Sequence, residues 1–206
     1  MSLAHYDVDS GSRERRYERR DAVVFLKTKE AFGGLSNMAG GYPLRINGIR
    51  IATAEALYQA CRFPERPDVQ RAILAEASPM TAKMRGKPFR EFTRDDWEIV
   101  RVPIMRWSLR AKLAFHYREF SDLLKATGNR AIVEQSRRDG FWGAVPADDD
   151  SLVGMNVLGR LLMELREEVS DRDEESFRSL APLNIPKFVL DGRPIETVIT
   201  RRSTLF

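Results

Sequence analysis

Residues 43–63 read PLRINGIRIATAEALYQACRF, and the change of period inside this stretch sets the fold class. Leu44, Ile46, Ile49 and Ile51 alternate with polar positions, as strands with one buried face require. Asn47-Gly48 between them accepts positive φ at both centres of a type I′ turn, so the two runs form an antiparallel hairpin. Thr53 then caps a helix running through Glu55, Tyr58 and Arg62, with Glu55 in the first turn, where the dipole favours an acid. A short hairpin feeding directly into a helix belongs to an α+β arrangement rather than to alternating βαβ units.

Working outward, AVVFLK from Ala22 reads as a short buried strand, with the structured part beginning near Val23, followed by the glycine-punctuated loop AFGGLSNMAGG. Residues 1–22 are polar and include RERRYERR from Arg13 to Arg20, which reads as a flexible arm or a short solvated helix. On the other side, Pro67 opens a helix and Gly86 ends the one that follows Pro79. The segment TRDDWEIVRVPIMRWSLRAKLAFHY (93–117) reads as a long helix capped at Thr93 and kinked or split at Pro103, with Met105, Leu109 and Leu113 as one buried stripe. A short helix around Leu123 stops at Gly128, and Leu158, Leu161, Leu162, Leu165 and Val169 form a second stripe at helical spacing. Past Ser170 the chain turns acidic and then carries another turn pair, Asp191-Gly192. The expectation is a single α+β domain, mostly helical with a few short antiparallel strands. It comprises an arm (1–22), a folded body (23–169) and a C-terminal extension (170–206) that packs on or trails the body.

At 206 residues the chain is long enough for one domain with a conventional core. Its longest apolar run, Ala22–Leu26, is far below the roughly 20 residues of a membrane span, so no membrane association is expected. The N-terminal residues lack the apolar core of an export signal, and the lone Cys61 fits a reducing compartment, so the expected location is the cytoplasm. Two histidines (His5 and His116) and one cysteine are too few for a zinc site of the usual ligands; composition leaves only a carboxylate-held magnesium open. No Walker loop, GxGxxG or GxSxG occurs. The net charge of +4 lies wholly within 23–169, because the arm and the extension each cancel to zero. A modest positive excess there suits an anionic substrate.

Two carboxylates stand in unusual company. Glu55 lies in TAEALYQACRF, and Asp139 lies in RRDGFWG beside Phe141 and Trp142. A carboxylate among large aromatics has its charge disfavoured, which suits acid or base work, and aromatics are how many sites hold a flat base. Bland readings stand beside these: Glu55 as a dipole-favoured first-turn acid, Asp139-Gly140 as a turn pair, the aromatics as core, and Asn37 as a loop residue bonding its own backbone. Local chemistry leaves that choice open.

The ordered segments FGGLSNMA (32–39), TAEALYQACRF (53–63), SPMTAKMRG (78–86), W-x2-VR-x2-IM-x4-R-x-K (97–112), LLKATGNRAIVEQSRRDGFWG (123–143) and GMNVLGRLLMELR (154–166) together resemble the NADAR family, also called YbiA-like, over roughly residues 23–169. Met38, Leu57 and Arg62 depart from the residues common there. The resemblance implies an N-glycosidase cutting the bond between ribose C1 and a nitrogen, with no cofactor. The substrate classes it implies are ADP-ribosylated guanine, free or in nucleic acid, and the phosphorylated ribosylamino-pyrimidines of riboflavin synthesis. Carried over position by position, the implied catalytic residues are Glu55 and Asp139; Ser36, Asn37, Arg62, Lys83, Trp97, Trp142 and Asn156 are the implied substrate-binding residues. Glu55 is expected to stabilise an oxocarbenium-like state or activate water while Asp139 assists departure of the nitrogen. The rival readings are a non-catalytic ADP-ribose or nucleotide-binding module, and a weak nucleic-acid contact through Arg13–Arg20.

Overall fold

The computed structural model describes residues 13–200. The chain opens with β1 (Arg15–Glu18) and β2 (Ala22–Phe25), then crosses the glycine loop to the hairpin β3 (Leu44–Ile46) and β4 (Ile49–Ile51). Asn47 and Gly48 at its tip have φ of 50° and 79°, the left-handed pair that a type I′ turn needs. Thr53 caps α1 (Ala54–Ala60), its Oγ1 accepting from the Ala56 N–H at 3.2 Å. Then come α2 (Pro67–Leu74), α3 (Pro79–Gly86), α4 (Trp97–Phe115) and α5 (Tyr117–Lys125). The strand β5 (Ala131–Glu134), the short β6 (Val145–Pro146) and β7 (Ser151–Gly154) lead into α6 (Val157–Asp171). The extension adds β8 (Ser179–Leu180), β9 (Val189–Leu190), β10 (Arg193–Pro194) and β11 (Val198–Ile199).

The α+β class holds, though not all of the strand pairing is antiparallel. β2 and β5 run parallel, with Phe25 opposite Glu134. Gln135 extends that ladder by donating to the Phe25 carbonyl at 2.8 Å. The core gathers α1, the middle of α4 and the leucine face of α6, where Leu57, Ile104, Leu113 and Leu162 are all sealed from solvent.

Three local expectations are corrected. The stretch Arg13–Arg20 is not an arm: β1 pairs antiparallel with β7, placing Tyr17 opposite Leu152 and burying its ring, while Arg16 and Glu18 face outward. Composition hides this because the strand needs one buried aromatic and a partner far along the chain, and its charges occupy the open face. Arg16 pairs there with Glu18 and Asp148; residues 1–12 of the expected arm lie outside the described ones. Thr93 does not cap α4, which begins at Trp97 behind Asp96; its Oγ1 accepts instead from Arg62 Nε at 2.9 Å. Pro103 does not split α4 either. It falls in the second turn, and the carbonyl it fails to bond belongs to Ile99, which is 78% exposed and open to water.

The extension packs on the body. Phe188, Leu190, Ile195 and Val198 are buried, Phe188 meets Trp107 edge to face at 5.1 Å, and the Trp107 indole donates to the Ala181 carbonyl at 2.8 Å.

Candidate active site

Glu55 is set by two neighbouring segments. The Thr53 cap fixes where α1 starts, and the Glu55 N–H donates to the Asn37 carbonyl at 3.1 Å, joining the helix to the preceding loop. Its carboxylate accepts from Asn37 Nδ2 at 3.0 Å on one oxygen and from Gln59 Nε2 at 2.9 Å on the other, and the residue is only 6% exposed. The loop is held from below by Lys112, itself 1% exposed, whose ammonium donates to the carbonyls of Gly34 and Ser36 and faces the rings of Tyr42 and Phe120 at 4.2 and 4.3 Å. Ser36 Oγ accepts from the Met38 N–H at 3.2 Å and closes the turn that presents Asn37. The Asn37 Oδ1 is buried without a hydrogen-bond partner, an acceptor left for a donor from outside the chain.

Aromatic side chains wall the same region. Tyr58, one turn after Glu55, meets Trp97 at 5.1 Å and Trp142 at 5.6 Å, and Trp142 meets Phe141 edge to face at 5.0 Å. Cations lie on two of these rings: Arg62 over Trp97 at 5.2 Å and Arg101 over Phe141 at 3.8 Å. Burial, and then the Glu55 charge, push the Tyr58 phenol far above its ordinary range, so it remains a neutral donor. Burial pulls the Arg62 guanidinium down from its ordinary value. Asp139 shapes the wall from the rim: its Oδ1 accepts from the Phe141 and Trp142 N–H groups at 3.0 and 2.9 Å, and its own N–H donates to Ser136 Oγ at 3.0 Å.

A third carboxyl feels the charges of these two. Glu134 ends β5, and its acidity is weakened to about 7, first by burial and then by the charges of Glu55 and Asp139, with Lys83 acting in the opposite sense. Its backbone is clamped on all sides. The N–H donates to Asn156 Oδ1 at 3.1 Å, and the carbonyl accepts from Ala144 at 2.8 Å. Gly143 packs so closely that a Cβ there would lie 2.4 Å from the Glu134 carbonyl oxygen. By contrast Cys61, wholly buried, has its thiol pushed up to about 12 and is no nucleophile. Among the described residues no group of three or more His, Cys, Asp or Glu is placed to hold a metal ion.

The NADAR domain family matches residues 24–170, which is most of the chain and the whole of this site. The chain belongs to the NADAR family. A relative described as N-glycosidase YbiA, from Escherichia coli (strain K12), is 35% identical over 155 residues, spanning 73% of this chain and 91% of its own. The NMR structure of E. coli YbiA superposes with a TM-score of 0.62 at 33% identity, covering 76% of this chain and 92% of that one. A maize protein described as a chloroplastic riboflavin biosynthesis protein, PYRR, is 32% identical over 161 residues, 71% of this chain but 25% of its own length.

Within this NADAR domain, Ser36, Asn37, Glu55, Arg62, Trp97 and Trp142 converge around Tyr58 through the contacts above. Lys83 is exposed on α3 and reaches the cluster through its charge on Glu134. Two expected site residues are held by the backbone around them. Asn156 is not placed to touch substrate: it is fully buried in the left-handed conformation at the start of α6. Its amide spans β5, donating to the Ile132 carbonyl at 2.8 Å and accepting from Glu134, so it acts as the missing strand partner of that segment. Asp139 sits exposed at the rim with one oxygen spent on two backbone N–H groups, whereas Glu134 is part-buried. Glu134 is the residue the sequence reading misses. The available signal is an acid closing the apolar run AIV directly before the turn that carries Asp139.

Proposed function

We propose that this protein is an N-glycosidase that hydrolyses the bond between C1 of a phosphorylated ribose and a nitrogen of its base. Its family and the N-glycosidase names of its relatives support a hydrolase acting on N-glycosyl bonds. The observation that carries the reading at the level of chemistry is the placement of Glu55, a buried carboxylate fixed by two amides beside an aromatic wall. Breaking a C1–N bond develops positive charge on the sugar ring, and a fixed negative group facing it stabilises that charge without reorganising. In this reading Glu55 stabilises the cation and directs water to C1, and the free Asn37 Oδ1 takes a ribose hydroxyl. Trp97 and Trp142 hold base and sugar, and Arg62 and Lys83 meet phosphate oxygens. Asp139 acts by holding Trp142 in place.

The substrate is either ADP-ribosylated guanine or a ribosylamino-pyrimidine phosphate; the riboflavin biosynthesis names of two relatives favour the second. The test incubates the protein with each and follows product release by mass spectrometry. We expect turnover of at least one, and E55Q to lower kcat by about 10²–10³-fold. Tight binding without product would replace the enzyme with a nucleotide-binding module.

A further inference from the structure

We infer that the Tyr58 hydroxyl is a hydrogen-bond donor to the departing base, meeting a carbonyl oxygen conjugated with the nitrogen that leaves ribose C1. This rests on the N-glycosidase reading and adds to it the group that takes up charge on the leaving side. Tyr58 is 4% exposed, and the polar end of a buried aromatic normally finds a partner within the chain, as the Trp107 indole finds the Ala181 carbonyl. The Tyr58 hydroxyl makes no hydrogen bond to another described residue. Unlike the Tyr17 hydroxyl, which is unpartnered and closed off, its oxygen is not sealed from solvent. It is a donor held ready for an acceptor that the described chain does not supply.

Three elements set the place of its ring. Helix α1 puts Glu55 one turn earlier on the same face, at the i, i+3 spacing. Trp97, the first residue of α4, lies against the ring at 5.1 Å and 45°, and Trp142, from the turn that Asp139 holds, meets it edge to face at 5.6 Å. A flat base held by these two indoles therefore lies beside Tyr58 as well. Burial, and then the Glu55 charge, keep the phenol protonated against the pull of Arg101 and Arg62, so it donates without giving up its proton. Two unpartnered groups thus attend Glu55: the Asn37 Oδ1, an acceptor, and the Tyr58 hydroxyl, a donor. The first suits a sugar hydroxyl and the second a carbonyl on the base.

The chemistry calls for such a donor. When the C1–N bond breaks, its electron pair goes to nitrogen and, through the conjugated ring, on to the carbonyl oxygen. A hydrogen bond from the phenol to that oxygen strengthens as the charge develops, so it stabilises the transition state more than the bound substrate. Tyr58 keeps its proton throughout. Water adds its oxygen to C1, and the proton it sheds ends on the departed nitrogen, so the net change is addition of water across the bond.

The experiment compares wild type and Y58F on the ribosylamino-pyrimidine phosphate and on ADP-ribosylated guanine, both of which carry a ring carbonyl. The variant keeps the ring and its contacts with Trp97 and Trp142 and removes only the hydroxyl. On whichever substrate the wild type turns over, we expect the single-turnover rate of Y58F to fall about 10²-fold, the usual worth of one donor aimed at developing charge. KM should stay within about threefold of wild type, because the interaction is made chiefly in the transition state. The thermal midpoint should stay within about 2 °C, because the hydroxyl bonds nothing in the described chain. A Y58F rate equal to wild type, a loss confined to KM, or a midpoint lowered by more than about 5 °C would each overturn the role of the hydroxyl. A wild-type protein that releases no product from either substrate overturns the glycosidase reading itself.

Discussion

A carboxyl that binds its proton more tightly in the folded chain than in the unfolded one ties stability to pH. Glu134 goes from an ordinary 4.5 to about 7 on folding. Its favourable contribution is therefore complete below pH 4.5 and is lost as pH rises to about 7, because the folded protein must then bury a charge that the unfolded chain leaves in water. The variant E134Q stays neutral throughout. Urea unfolding should show it gaining on wild type between pH 4.5 and 8, by roughly 3 kcal/mol at most at 1.36 kcal/mol per unit. A difference between the two proteins that does not change with pH would show that the carboxyl titrates normally. Asp139 calls for the opposite experiment. Asn at 139 preserves the Oδ1 that accepts from Phe141 and Trp142, whereas Ala removes it. D139N is thus expected to keep most of its stability and turnover, and D139A to lose about 1 kcal/mol together with substrate affinity, read as a raised KM. A D139N variant as impaired as D139A would mean that the charge of Asp139, rather than its acceptor geometry, matters.

At the scale of elements, the site depends on a loop held by one buried cation. Lys112 reaches across from α4 to the carbonyls of Gly34 and Ser36, and Asn37, the next residue, holds Glu55. Burial pulls the Lys112 ammonium down to about 7, so the protein carries this group at a cost. K112M keeps the aliphatic stem but takes the ammonium from the Gly34 carbonyl and leaves the Ser36 carbonyl with the Ala39 N–H alone, which should cost about 1–3 kcal/mol. If the cation positions Asn37 and through it Glu55, kcat should fall while KM changes little; an unchanged kcat in the folded variant would leave Lys112 with a purely structural role. The same elements show which features a sequence discloses. The hairpin at Asn47-Gly48, the Thr53 cap and the leucine stripe of α6 are legible because each signal acts within a few residues. The strand β1, the fate of Thr93 and the role of Asn156 are not, because each is decided by a partner brought in by tertiary structure: β7, Arg62 and β5. Glu134 belongs with the second set, since an acid at a strand end acquires meaning only when Glu55 and Asp139 lie near it.

Across the whole molecule, the family match ends at residue 170 while the core does not. The extension is stitched to the body at several places. Trp107 bonds the Ala181 carbonyl, and the buried Gln70 donates to Ala60 and Val189 carbonyls while accepting from the Asp191 N–H. Asn47, at the hairpin tip, donates to the Pro194 carbonyl at 2.8 Å and accepts from the Glu196 N–H at 3.0 Å. A turn residue chosen for its left-handed φ therefore also anchors a distant segment. Phe188 is the apolar centre of this seam, 6% exposed and edge-on to Trp107. If the extension is part of the cooperative fold, F188A should lower unfolding free energy by about 3–5 kcal/mol, as large-to-small changes at buried aromatics do. The loss should appear in a single unfolding transition followed by both far-ultraviolet circular dichroism and Trp fluorescence. A loss under about 1 kcal/mol, or a separate early fluorescence transition at unchanged helical signal, would instead show the extension opening on its own, as a unit docked on the NADAR domain and not part of its core.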